Sequence, residues 1–147
     1  MTRKLMDSMH RNKQKGVTLI ELLIVVMIIG VLASVAYPSY VDHQRSGHRT
    51  SAQASLMMLH LWMEDEFTRN GSYPASVDNN SCPACNLNTD NYNFSATYIN
   101  GGLPPYTLTA TPKTNTVQDD DRCGAISVAA SGRTEAKKGG SAINGCW

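Results

Sequence analysis

The chain has 147 residues and a mass of 16.0 kDa, with 41% apolar and 17% charged residues. That is room for one domain with a modest core. The formal charge of +1 averages two unlike parts: residues 1–16 carry five basic residues against Asp7, and the remainder carries eight basic against eleven acidic. A basic leader argues against a purely cytosolic enzyme, and an acidic body argues against a bulk nucleic-acid binder.

Although the mean hydropathy is −0.28, the apolar residues are concentrated. Residues 22–35 hold no charge, and only Gly30, Ala33 and Ser34 interrupt their Leu, Ile, Val and Met. A basic stretch followed by such a run fits a secretory signal, a membrane anchor or a buried helix. Length separates them: as a helix, residues 17–36 span about 30 Å, the thickness of the hydrocarbon core. An ordinary signal core is shorter, although Val35 and Ala36 imitate its cleavage site. The basic flank holds the N-terminus in the cytoplasm and sends the rest outward. Glu21 is the odd residue, since an acid inside the bilayer costs roughly 2.5–3.5 kcal/mol, less near the interface. Either it snorkels to the headgroups, or it meets a cation. Hydrolysis after Gly16 creates that cation, an α-amino group on Val17. In a helical array the amine of one subunit neutralises Glu21 of the next, and register is set because a slip leaves a carboxylate unpaired.

The run Gly16-Val17-Thr18-Leu19-Ile20-Glu21-Leu22-Leu23-Ile24-Val25 resembles the class III signal of type IV pilins and pseudopilins. The resemblance implies a prepilin peptidase that cuts between Gly16 and Val17 and N-methylates the new amine. It also implies that Glu21 is the registration residue and that Pro38 is the helix-kinking proline, with Gly30 at a recurrent glycine position. Val17 departs from the commonest residue there, Phe, but stays apolar. The close match covers residues 16–38.

Beyond Pro38 the pattern predicts an amphipathic continuation to about residue 70, with Val41, Ala52, Leu56, Leu59, Met63 and Phe67 as its apolar stripe. Arg45, Arg49, Gln53, Glu64 and Arg69 fall mainly on the other faces. Gly47 and Pro38 are interior breakers, and Asn70-Gly71 with Pro74 supplies the stop. Met57, Met58, Trp62 and Met63 read as packing rather than as a ligand stripe. Residues 71–91 form a loop rich in Asn, Ser, Pro and Asp. Strand-like alternation follows over residues 93–99, 106–111 and 125–130, with residues 134–137 as a fourth, edge strand. Asn100-Gly101-Gly102 with Pro104-Pro105 makes the first connection, and residues 113–122 the second.

Cys82, Cys85, Cys123 and Cys146 are an even set in a segment that lies outside the cytoplasm, where disulfides persist. Three pairings are open, of which Cys82 with Cys85 and Cys123 with Cys146 is favoured over a redox CxxC motif or a four-thiolate zinc site. A disulfide-bounded C-terminal loop is a pilin feature, and the closing Cys146-Trp147 resembles minor pilins of the PilE type. Asp119, Asp120 and Asp121 read as a solvated turn rather than a calcium loop. His43, His48 and His60 are scattered along the helix, and no catalytic constellation, resident metal, cofactor or small-molecule substrate is expected.

The resulting expectation is an α+β, type IV pilin fold: a long N-terminal helix, its first half transmembrane, on an antiparallel sheet of about four strands with a disulfide-bounded C-terminal loop. Its parts are a cleaved leader over residues 1–16, a transmembrane and polymerisation helix over 17–37, and an exterior body over 38–147, with the sheet and C-terminal loop from residue 92. The resemblance implies a minor pilin that co-assembles with major and minor pilins and supports pilus assembly, adhesion or twitching motility. It would sit in the inner membrane of a Gram-negative bacterium, N-terminus cytoplasmic, before moving to the extracellular pilus. The alternatives are a type II secretion pseudopilin and a DNA-uptake receptor pilin of a competence pilus. The second would use Arg133, Lys137, Lys138 and Lys113 as a basic strip, with Trp147 stacking on bases.

Overall fold

A computed structural model describes residues 16–87, 89–99, 101 and 105–147. Residues 1–15 of the expected leader, Asn88, and residues 100 and 102–104 of the first connection lie outside that set. The chain divides into two units, Met1–Tyr37 and Pro38–Trp147.

Helix α1, Leu19–Asn70, contributes to both units. At its start the Thr18 hydroxyl accepts the Glu21 N–H at 3.3 Å, so Thr18 and Glu21 stand at the first and fourth positions of a T-x-x-E cap. In the first unit every residue from 16 to 37 is exposed. The helix is long and apolar enough to cross a membrane. Pro38 sits inside the helix, where it removes one backbone donor. The stop falls at Asn70, where Gly71 takes a φ of +70° and its N–H returns to the Phe67 carbonyl at 2.8 Å.

In the second unit α1 buries Ala52, Ser55, Leu56, Leu59 and Met63. Val41 and Phe67, the ends of the expected stripe, are half-buried and exposed respectively, and Phe67 stacks on Tyr73 with ring centres 4.5 Å apart. The methionine cluster divides: Met63 is in the core and Trp62 packs partly against it, whereas Met57 and Met58 face outward.

Residues 71–91 are more than a linking loop. The Asp78 carboxylate accepts the N–H groups of Asn80 and Ser81 and the Ser81 hydroxyl, and these bonds hold its pKa below the usual carboxylate range. The Asn79 side chain brackets Leu87, accepting its N–H and donating to its carbonyl. A single 3-10 turn, Pro83–Cys85, is closed by a bond between Cys82 and Cys85. Val77, Cys82, Cys85 and Leu87 thereby enter the core.

The sheet is an antiparallel meander of five strands: β1 Tyr92–Tyr98, β2 Tyr106–Pro112, β3 Ala125–Ala129, β4 Thr134–Lys138 and β5 Ser141–Ala142. The expected antiparallel sheet is present, but residues 134–137 are not its edge. Gly139 and Gly140, with φ of +58° and +84°, form a two-residue turn that returns the chain, so Lys138 pairs with Ser141 and Lys137 with Ala142. The inner face carries Tyr92, Tyr106, Leu108, Ala110, Ile126, Val128 and Ala136, all buried against the helix side chains. Gly124 precedes β3 at a φ of +59°, and a Cβ there would lie 2.4 Å from the Lys137 carbonyl oxygen. That position tolerates only glycine. A second bond, Cys123 to Cys146, ties the C-terminal segment to the start of β3.

Candidate functional site

Strand alternation decides what the outer sheet face offers. Cross-strand partners place Ser95 opposite Thr109, Thr109 opposite Ser127, and Ser127 opposite Glu135. The face is therefore a row of small hydroxyl side chains that ends in charge on β4. A shallow groove of about 310 Å³ runs along it, walled by Thr107, Thr109, Ser127, Arg133, Glu135 and Lys137 among others.

Arg133 and Lys137, two of the four residues expected to form a basic strip, meet here on a residue that the sequence reading passed over. Glu135 Oε1 lies 3.1 Å from Arg133 Nη2, and Oε2 lies 2.8 Å from Lys137 Nζ. The indole N–H of Trp147 donates to the Glu135 main-chain carbonyl at 2.8 Å. A hydrogen bond from Lys137, then the charges of Arg133 and Lys137, hold the Glu135 pKa below its ordinary value. Trp147 is kept there by its neighbour: Cys146 is bonded to Cys123, and its carbonyl accepts the Gln53 amide at 2.6 Å. Trp147 as a whole remains 39% exposed.

Lys138 does not join this group. One residue beyond Lys137 on an alternating strand, it points to the other side, where its ammonium donates to the Asp121 carbonyl at 2.9 Å. Lys113 follows β2, its N–H on the Asn91 carbonyl, and does not line the groove. The overlooked signal was the period of two: with residues 134–137 read as a strand, Arg133, Glu135 and Lys137 share one face.

The expected solvated acidic turn is corrected at one of its three members. Asp119 and Asp120 are exposed, but Asp121 is 2% exposed and receives the Arg49 guanidinium at 2.7 and 2.9 Å. Gln118, fully buried, donates to Asp121 and to the Tyr92 hydroxyl, and Arg45 donates to the Val117 carbonyl. The helix face assigned to solvent is thus partly roofed by residues 117–121. Burial, then the Asp121 charge, pushes the Tyr92 hydroxyl up to about 12.

A second cluster spans the body. The Tyr106 hydroxyl donates to Glu64 at 2.6 Å and lies 2.8 Å from His60 Nδ1. Since the tyrosine proton goes to the carboxylate, His60 Nδ1 must be the protonated nitrogen. Among the described residues no group of three His, Cys, Asp or Glu side chains is arranged to hold a metal ion. Gly16 and Val17 are exposed ahead of α1, and Glu21 lies in its first turn.

A family model described as "Type IV minor pilin ComP, DNA uptake sequence receptor" matches residues 38–127, and one described as "Prokaryotic N-terminal methylation motif" matches residues 11–37. Among curated proteins, the type IV major pilin protein PilA of Myxococcus xanthus is 36% identical over 61 residues, 42% of this chain and 28% of that one. The type IV major alpha-pilin of Moraxella bovis is 49% identical over 45 residues, 31% of this chain and 28% of that one. The alignments thus span 28% of the length of each of these relatives. A solved type IV pilin from Shewanella oneidensis is 27% identical, with a TM-score of 0.49 over 70% of this chain and 97% of that one.

Proposed function

Because the chain belongs to the type IV minor pilin ComP, DNA uptake sequence receptor, family, we propose that it serves as a minor subunit of a type IV pilus. Prepilin peptidase removes the leader after Gly16 and methylates Val17, a reading supported by the methylation motif over residues 11–37. One observation carries the proposal: residues 16–37 are all exposed, and most are large and apolar. Such a surface needs a cover. The inner membrane of a Gram-negative cell supplies it before assembly, with the N-terminus cytoplasmic. In the filament the helices of major and minor pilins replace the lipid, Glu21 meets the amine of a neighbour, and Pro38 bends the rod. The role is structural: priming assembly and supporting adhesion or twitching motility. Intact mass spectrometry of sheared filaments tests it. The expected mass lacks residues 1–16, carries one added methyl and is short of four thiol hydrogens. A chain that retains its leader, or is absent from the filaments, overturns the proposal.

A second reading adds DNA contact. It is supported by the family description, by the meeting of Arg133 and Lys137 on one exposed face, and by the Trp147 indole held to the Glu135 main chain. The cations suit phosphate and the indole suits a base or sugar. The family model ends at residue 127, so the choice of β4 rests on geometry alone. Salt-dependent retardation of duplex DNA by the mature chain in detergent micelles is the expected result. No retardation at low salt removes this reading and leaves the filament role standing.

A further inference from the structure

Resting on the DNA reading, the geometry of β4 assigns a role to Glu135. We propose that its carboxylate is a built-in competitor of the phosphodiester: it occupies Arg133 and Lys137 when DNA is absent and must be displaced for phosphate to bind.

The two cations are satisfied by one anion, with a separate carboxylate oxygen for each, at 3.1 and 2.8 Å. Carboxylate and phosphodiester present the same kind of paired anionic oxygens to guanidinium and ammonium donors. Glu135 therefore holds Arg133 and Lys137 close together, as a phosphate would. Arg133 and Lys137 are 72% and 54% exposed, so an incoming anion reaches them from solvent without unfolding anything. Exposed ion pairs are weak and screened by salt, which makes the lock soft enough for a polyanion to open.

Displacement leaves the aromatic in place. Trp147 is bonded to the main-chain carbonyl of Glu135, not to its carboxylate. Rotation of the side chain away from the cations therefore does not disturb the indole. One residue thus performs two separable tasks: its backbone fixes the stacking group, and its side chain sets how readily the cations are released. Among the described residues no other acid lines the groove, so the competition there is confined to this carboxylate. The consequence is lower affinity for DNA of any sequence, so that discrimination falls to contacts other than these two phosphate binders.

The test titrates the mature chain in detergent micelles with a short fluorescent duplex of random sequence over a series of salt concentrations. Glu135→Gln keeps the shape and the backbone but removes the competing charge. It is expected to bind about 5–10-fold tighter at low salt. Its log affinity should fall more steeply with log salt, by about 0.9 for each additional phosphate contact. Glu66→Gln makes the same change in net charge on α1, far in sequence from β4, and should bind as wild type. Adding Arg133→Ala and Lys137→Ala to Glu135→Gln should erase the gain. If wild type binds and Glu135→Gln binds no tighter, or if Glu66→Gln gains equally, the competitor role is overturned while DNA contact survives. The role also falls if the gain persists without both cations. If neither wild type nor Glu135→Gln binds, the DNA reading itself fails.

Discussion

Residues 19–37 and the body share one helix but owe their order to different causes. In the first stretch no residue is buried, so the helix closes its own backbone hydrogen bonds and leaves its side chains for lipid or other helices. Only Glu21 among those residues carries a charge. In the body, order comes from a shared core, two disulfides and polar pairs between distant segments, such as Arg49 with Asp121 and Gln53 with Cys146. The first region concentrates its specificity in one side chain. The second distributes its stability over many.

The sharpest separation comes from Glu21→Gln. A neutral amide can accept a hydrogen bond but cannot neutralise a neighbour's protonated amine, so entry into filaments should be nearly abolished while the thermal unfolding midpoint of the body stays where it was. Quantifying the protein in sheared filaments against the membrane fraction reads the first half, and calorimetry of the purified chain reads the second. Unchanged incorporation would remove Glu21 as the register residue.

Asp121→Ala should show the opposite pattern, with the chain still inserted in the membrane and the body weakened. Arg49, 14% exposed, is left facing an apolar neighbour, Gln118 loses an acceptor, and such a break in a buried pair costs about 3–5 kcal/mol. Urea unfolding should show the loss in the midpoint with little change in slope. Substituting Cys123 and Cys146 together by Ser ranks next. A loop of this length contributes roughly 3.5 kcal/mol in the chain-entropy account, and Trp147 loses the anchor that holds it beside β4. Indole fluorescence should shift toward that of a solvated tryptophan as the midpoint falls.

How much of this was legible in the sequence follows the same division. The apolar run, Glu21 and the Asn70-Gly71 stop are local patterns, and they read directly into α1. The first three strands announced themselves by alternation, and residues 134–137 read as a short fourth. The fifth gave no such signal, because Ser141–Ala142 is too short to alternate, and the two-residue turn at Gly139-Gly140 carries no apolar pattern. Asp119, Asp120 and Asp121 are chemically identical in the sequence. What singles out Asp121 is Arg49, 72 residues away, and only the fold brings the two together. Glu135 lay between two residues already chosen for their positive charge. It went unnoticed because basic residues were gathered by sign rather than by strand face.

The smallest expected effect appears only in alkali and again sets the two regions apart. Tyr92 is fully buried, and burial followed by the Asp121 charge raises its pKa from the ordinary 10.0 to about 12, despite the Gln118 amide and Arg49 acting the other way. Between those values the unfolded chain has already released the proton that the folded chain retains. Stability from this group is therefore complete below pH 10 and declines as pH rises through 12. Tyr106 acts in the same direction, raised by burial and then by its hydrogen bond to Glu64. Tyr37, the one tyrosine in residues 19–37, is exposed. Unfolding midpoints measured from pH 9 to pH 12 should fall for wild type and fall less steeply for Tyr92→Phe. At neutral pH the variant should show only the loss of one hydrogen bond, about 0.5–1.5 kcal/mol. Tyr106 keeps the variant's profile from becoming flat. Equal slopes in the two proteins would mean that burial in the body does not hold the Tyr92 proton, and the pH dependence would have to come from other groups.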